Sequence, residues 1–297
     1  MKPKPECIPC LIEVRLRDLN MLMKDEKAMM RAMLKVVDIV RRGLEEGLLG
    51  PVVAAHTFKY IREVTGVDDP YEEYKKLSNE VAMRLSRTIE RKLESKEVVE
   101  RIKELIRIAI AGNAVDVGIA DYDFDPRNWL TYLKEAQLSK DDRSLIVDLI
   151  KRSRRIVYLC DNAGEVIFDK LLMSEIRELG PEITAIVKSY PFQNDVTLKD
   201  ATEIGLSEVA DRVLGSGSGA SGLVLEWAPD EVLEEIARCD LIIAKGLGNY
   251  EMLSEYIAEK KISKPVAFLL IAKCNPVAES LGVKKGDLVA KLVISRP

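Results

Sequence analysis

From about Pro9 to Leu149 apolar residues recur at helical spacing, as in CLIEVRLRDLNMLM, EKAMMRAMLKVVDIVRRGL and SNEVAMRLSRTIERKL, with no convincing alternation of the kind that marks a strand. Beyond Arg155 the pattern changes. Short β-branched runs alternate with helical stretches such as VIFDKLLMSEIREL and DEVLEEIARC, which is how repeated strand–helix–strand units read. Gly180-Pro181 and Lys264-Pro265 fall between a helix and the strand after it, where chain breakers belong. The pattern predicts a helical N-terminal domain over residues 1–150 and an α/β domain over residues 151–297, with DLVAKLVISRP adding one edge strand.

Each apolar run of the second half stops at polar or glycine residues. RRIVYLCDNAGEVIFD delivers Asp161 and Asn162 to a strand end, TAIVKSYPFQND brings Lys188, Asn194 and Asp195, and ADRVLGSGSGASG brings a glycine loop. CDLIIAKGLGNY brings Lys245 and Asn249, and KPVAFLLIAKC brings Lys273. In an open parallel sheet ligands bind outside the carboxyl ends of the strands, so these five ends predict one crevice holding carboxylates, amides and lysines together.

Composition narrows the candidates. A length of 297 residues suits one large or two ordinary domains, and with 47% hydrophobic residues there is still no apolar run long enough to span a bilayer. No charged-then-apolar leader opens the chain, and five scattered cysteines fit a reducing compartment, so a cytoplasmic protein is expected. A net charge of -4 with interspersed signs gives no broad basic face and argues against nucleic acid as a partner. Charged residues reach 32% while Gln occurs only at Gln137 and Gln193, which fits a heat-adapted source.

His56 is the single histidine, so a zinc site of the HExxH or three-histidine kind cannot be built within the chain. A catalytic metal has to use oxygen. Asp161, Asn162 and Asp195 offer carboxylate and amide oxygens, which suit Mg²⁺ or Mn²⁺ and leave positions for water and a substrate phosphate. Asp161-Asn162 also reads as an Asx turn capping the next helix, and the two roles are compatible because helix N-termini are anion sites. Lys188, Lys245 and Lys273, at equivalent strand ends, can neutralise phosphate as point charges, and Asn249 can add a neutral hydrogen bond. Tyr250 reads as a packing residue.

Three further features leave alternatives open. Gly217, Gly219 and Gly222 match G-x-G-x-x-G, but the loop follows the third run, so a phosphate nest or a simple turn is the better reading than a dinucleotide fingerprint. Cys7 and Cys10 form a CxxC that reads as helix-start packing, a redox pair, or half of a metal site completed by a partner or by Cys274; Cys160 and Cys239, like Cys274, lie within or beside apolar runs. In AIAGNAVDVGIADYDFDP, Asn113 and Asp116 interrupt an apolar helix and need polar partners, either as helix caps or by facing the crevice.

The set CxxC at Cys7 and Cys10, GNAVD from Gly112, DNAGE from Asp161, PFQNDVT ending at Thr197, KGLGNY from Lys245 and AKC at Lys273 resembles the damage-control phosphatase family, formerly the domain of unknown function 89 group, in its microbial branch with the CxxC. The resemblance covers nearly the whole chain in motif order. It implies a helical N-terminal domain packed on a Rossmann-like three-layer α/β domain with a mostly parallel sheet. The activity it implies is metal-dependent hydrolysis of small phosphorylated metabolites such as sugar phosphates or damaged phosphometabolites, with Mg, Mn, Co or Ni as the divalent metal. By that similarity Asp161, Asn162 and Asp195 are the catalytic metal ligands. Asn113, Asp116, Glu165, Lys188, Lys245, Asn249 and Lys273 are then candidates for the substrate. A related eukaryotic branch is described as carboxyl methyltransferases using S-adenosylmethionine; that activity, and a non-catalytic sugar-phosphate binder, are the alternatives. The first strand ends in Asp161-Asn162-Ala163 rather than the D-x-D-x-T of a phosphoaspartate enzyme, which favours a metal-activated water over a covalent intermediate.

Overall fold

The structure, a computed structural model, describes residues 1–112, 133 and 136–294. Among the described residues five helices come first: α1 (Cys7–Leu22), α2 (Glu26–Glu45), α3 (Gly50–Thr65), α4 (Glu72–Leu93) and α5 (Val98–Gly112). Their ends follow from local chemistry. Asp25 caps α2 by accepting from the Lys27 and Ala28 amides, and Pro51 opens α3, which closes on Gly66 at φ 70°. Then follow β1 (Leu138–Asp141), α6 (Arg143–Ile150), β2 (Arg155–Leu159), α7 (Glu165–Glu178), β3 (Glu182–Val187), α8 (Leu198–Glu203) and β4 (Arg212–Gly215). The chain continues through α9 (Asp230–Arg238), β5 (Leu241–Lys245), α10 (Gly246–Ala258), β6 (Val266–Ile271), α11 (Asn275–Leu281) and β7 (Leu288–Val293).

The sheet has seven strands in the order β1-β7-β6-β5-β2-β3-β4. The five from β6 to β4 are mutually parallel, β7 is antiparallel to β6, and β1 is parallel to β7. The chain starts this parallel set at β2, builds outward through β3 and β4, and returns to the other side of β2 for β5 and β6. The order therefore reverses between β2 and β5, and the carboxyl ends of the two strands lie side by side at that switch.

Alternation along the strands serves two cores. Ile156, Tyr158 and Cys160 pack into one with residues of α4, α5, α6 and α7; Val157 and Leu159 pack into the other with α9, α10 and α11. A third, smaller core lies within α1, α2 and α3, around Leu19, Val36, Val40, Val53 and Ile61. Gly112 lets α5 approach α7 closely, since a Cβ there would stand 2.6 Å from a ring carbon of Phe168.

Two expectations are corrected. The stretch before Leu149 does contain a strand, β1, whose sequence LSKD is short, largely exposed and without apolar alternation. The C-terminal strand β7 is not the edge: β1 covers its outer side, so a charged four-residue strand blunts the sheet edge while β7 keeps three buried apolar residues. Among the described residues no helix is long and apolar enough to cross a membrane.

Candidate active site

The loops after β2 and β3 are laced together by backbone hydrogen bonds. Asn162 and Asp195 form an isolated antiparallel bridge, the Ala163 amide donates to the Asn194 carbonyl at 2.8 Å, and the Val196 amide donates to the Asp161 carbonyl at 2.9 Å. Lys188 joins the same lattice, its amide donating to the Val196 carbonyl at 2.9 Å. A capping box between Thr197 and Asp200 then starts α8. The result sets Asp161, Asn162 and Asp195 beside one another at the switch point.

Both carboxylates are buried, Asp161 at 6% exposure and Asp195 at 4%. Burial, reinforced by the nearby Glu165, pushes Asp161 up to about 7, while Lys188, Lys273 and Lys245 pull against the shift. Burial also pushes Asp195 well above the usual carboxylate range, with Lys188 opposing and Asp161 adding to the rise. The Lys188 ammonium lies 3.4 Å from Asp195 Oδ2, an ion pair too loosely aligned to hydrogen-bond that oxygen, and donates to the Ser221 carbonyl at 3.1 Å. Asn162 Nδ2 donates to Asp161 Oδ2 at 2.8 Å, which leaves its carbonyl oxygen as the acceptor end.

Lys245, at the end of β5, has no solvent exposure. Its ammonium donates to Glu165, to Asp169 Oδ1 at 2.6 Å and to the Ala109 carbonyl at 3.1 Å, so all of its donors are committed. Burial lowers its proton affinity, but Asp169 and Glu165 outweigh that and hold it firmly protonated. Asp169 also accepts from Tyr158 at 2.7 Å; burial pushes its carboxyl up to about 6 against the pull of Lys245. Glu165 and Asp169 lie one turn apart on α7, and Glu165 Oε2 is 3.4 Å from Asn162 Nδ2. Lys245 thus reaches the site through Glu165. Sequence reasoning passed over Asp169 and Tyr158, although a carboxylate four residues after Glu165 within EVIFD is a readable sign of an inward-facing pair.

The remaining candidates separate. Asn249 is buried, with its amide donating to the Lys245 carbonyl at 2.8 Å and the Cys160 carbonyl at 3.4 Å while its oxygen accepts from the Leu223 amide at 3.0 Å; these partners brace the loop after β4 against β2 and β5. Lys273 is exposed and acts on Asp161 through its charge. Asn113 and Asp116 lie outside the described residues. Tyr250 is buried with its ring 5.1 Å from that of Phe268, as a packing residue. In the glycine loop, Cβ atoms would stand 2.0 Å from the Trp227 carbonyl oxygen at Gly217 and 2.3 Å from that of Gly248 at Gly222. The glycines therefore serve close backbone packing, and no α-helix starts at the loop to offer an N-terminus to a pyrophosphate. Cys160 and Cys239 are buried as core residues, and all five cysteines are free thiols.

The helical layer holds the site loops from above. The Gly164 amide, in the turn after Asn162, donates to Asn79 Oδ1 of α4 at 2.6 Å. Lys75 of α4, almost without exposure, bridges Asp69 at 2.7 Å and Asp200 at 2.5 Å. Asp18 of α1, paired with Arg15 at 3.0 Å and accepting from Tyr71 at 2.5 Å, hydrogen-bonds Gln193, a non-glycine residue at φ 44° two positions before Asp195.

Among the described residues no group of three His, Cys, Asp or Glu side chains is gathered for a metal ion. Any cation here draws on the two carboxylates and the Asn162 amide oxygen, a donor set for a hard divalent ion. Two observations fit one: burial and a neighbouring acid raise the proton affinity of both carboxyls, Glu165 acting on Asp161 and Asp161 on Asp195, and Asp195 Oδ2 is buried without a hydrogen bond. Gly246, at φ 76°, keeps the place clear, since a Cβ there would stand 1.9 Å from Asp161 Oδ2.

Residues 4–289 match the model of the damage-control phosphatase ARMT1-like domain. A damage-control phosphatase of Archaeoglobus fulgidus is 34% identical over 300 residues, covering 99% of this chain and 100% of the relative. Another from Pyrococcus horikoshii is 32% identical over 290 residues, with 97% of each chain covered. The crystal structure of a DUF89 family protein from Pyrococcus horikoshii superimposes with a TM-score of 0.89 at 31% identity over the full length of both chains.

Proposed function

The chain belongs to the damage-control phosphatase family, and from that premise we propose that it is a metal-dependent phosphatase hydrolysing small phosphorylated metabolites, sugar phosphates or damaged phosphometabolites, through a metal-activated water. The observation that carries the reading is the pair of buried carboxylates, Asp161 and Asp195, set beside Asn162 where the strand order reverses. Mg²⁺, Mn²⁺, Co²⁺ or Ni²⁺ bound there supplies neutralisation of the phosphoryl oxygens and a water of lowered pKa. Asp161 and Asp195 hold the cation and orient the attacking water. Lys188 balances the acids from one side, and exposed Lys273 meets the incoming phosphate at the rim. Lys245 positions Glu165, and through it the Asn162 amide, without touching the substrate.

The test is phosphate release from a panel of sugar phosphates and phosphorylated cofactors, with each of the four metals and with EDTA. Release that requires metal supports the reading. Release that survives EDTA contradicts it, and saturable binding of a sugar phosphate without turnover identifies a binder. A rise in melting temperature with S-adenosylmethionine would favour the methyltransferase reading; the packed glycine loop supports the expectation that none occurs.

A further inference from the structure

The buried apolar residues of α2 enter the small core of α1, α2 and α3, and none of them enters either core of the sheet. Ala32, Val36, Val40 and Gly43 make that inward face. The outward side is not simply polar. Met30, Leu34 and Val37, spaced i, i+4, i+7, follow one another along it at 63%, 64% and 42% exposure. Three large apolar side chains in one row form a seam of the kind that packs against another helix, unlike apolar residues scattered singly over a surface.

Charge along the flank of this seam repeats every seven residues: Lys24, just before the capping Asp25, then Arg31, Asp38 and Glu45. Two cations are followed by two anions. Such an order complements itself only when reversed. Two copies of α2 laid antiparallel bring Lys24 opposite Glu45 and Arg31 opposite Asp38, each pair twice, about an axis between Leu34 and Lys35; laid parallel, every charge meets its like. Lys24 and Arg31 are exposed and have no ion-pair partner among the described residues. Asp38 is tied within the helix to Arg41 and Arg42, both at 3.1 Å, and Glu45 to Arg41 at 2.7 Å. Exposed pairs of that kind are weak, so both carboxylates can be shared with a cation from outside.

We propose that this face of α2 docks a second copy of the chain, antiparallel about a two-fold axis, to form a weak homodimer. Leu34 meets Leu34 of the second copy at the axis, Met30 reaches toward Val37 of the second copy on either side, and Arg31 pairs with Asp38. The helix is about 30 Å long, a narrow seam beside the interfaces of obligate dimers, so the association depends on concentration. Nothing in it rests on the phosphatase reading, because neither the acids nor a metal enters the interface.

The test is sedimentation velocity of the full chain, from low micromolar to several hundred micromolar protein, on variants whose thermal unfolding shows that they fold. The wild type should move from monomer to dimer mass as concentration rises. Leu34→Glu, at a position 64% exposed in the single chain and so tolerated by the fold, should stay monomeric throughout. Arg31→Glu sets a carboxylate against Asp38 on both sides of the axis and should weaken the dimer about tenfold or more. Adding Asp38→Lys to Arg31→Glu restores opposite charges in the reverse order and should recover the dimer. A wild type that stays monomeric overturns the proposal. So does a dimer of full strength in Leu34→Glu or in Arg31→Glu, which places the interface elsewhere, or a double variant that recovers nothing.

Discussion

Lys245 and Asp169, neither with any solvent exposure, lie 2.6 Å apart beneath the acidic site, although one ends a strand and the other sits midway along a helix 76 residues earlier. With Glu165 on the same ammonium, the three form a buried ionic cluster between β5 and α7.

Lys245→Met strands two buried carboxylates, and breaking such a pair costs about 3–5 kcal/mol. The sign with pH follows from Asp169: without the ammonium its folded pKa, already raised, rises further, so the penalty is full at pH 8 and shrinks as pH falls and the carboxyl takes up a proton. Thermal unfolding should show a larger deficit against the wild type at pH 8 than at pH 5. An equal deficit at both would remove the cluster as its cause.

Asn249→Ala leaves the Lys245 carbonyl and the Leu223 amide without their partner, at a cost of roughly 1–3 kcal/mol. The urea midpoint should fall while KM of the residual activity stays near wild type. A raised KM at unchanged stability would restore Asn249 to the substrate.

Gly246→Ala places a methyl group on Asp161 and forces alanine to a φ near 76°. Backbone strain alone contributes about 1–3 kcal/mol, and displacement of the carboxylate should abolish turnover. Wild-type activity in this variant would contradict the close approach of β5 to Asp161.

The closeness of Asp161, Asn162, Lys188 and Asp195 was legible because a polar residue ending a β-branched run is a local signal, and parallel strands collect such ends at one edge. The partners of those residues were not legible. Lys245 reads as a strand-end lysine facing a phosphate until α7 is packed beneath β5, and Asn79 gives no local hint that it accepts from Gly164, 85 residues away. Strand β1 escaped because LSKD carries no apolar alternation, and the inner position of β7 is a tertiary fact that its own sequence does not encode. The glycine loop looked like a phosphate cradle for a related reason. Glycines required by neighbouring carbonyls and glycines required by a ligand leave the same trace in sequence.

Asp195→Asn should separate function from stability. With EDTA present at pH 8, where the ionised acid is costly because its folded pKa is raised, the melting temperature should hold or rise. By pH 4, where the wild-type carboxyl is already protonated in the folded chain, any gain should vanish. A clear fall at pH 8 would make Asp195 a structural ion-pair partner of Lys188.

The most direct measurement is a calorimetric titration of Mn²⁺ into EDTA-stripped, dialysed wild type, Asp161→Asn and Asp195→Asn, with phosphate release followed on the same samples. One site per chain is predicted for the wild type, with turnover rising in step with occupancy. Both variants should lose at least tenfold in affinity and about 10²-fold or more in rate, since each removes one of two carboxylates from a hard cation. Wild-type Mn²⁺ affinity in both variants, or full turnover with the site empty, would contradict the assignment of Asp161 and Asp195 to the metal.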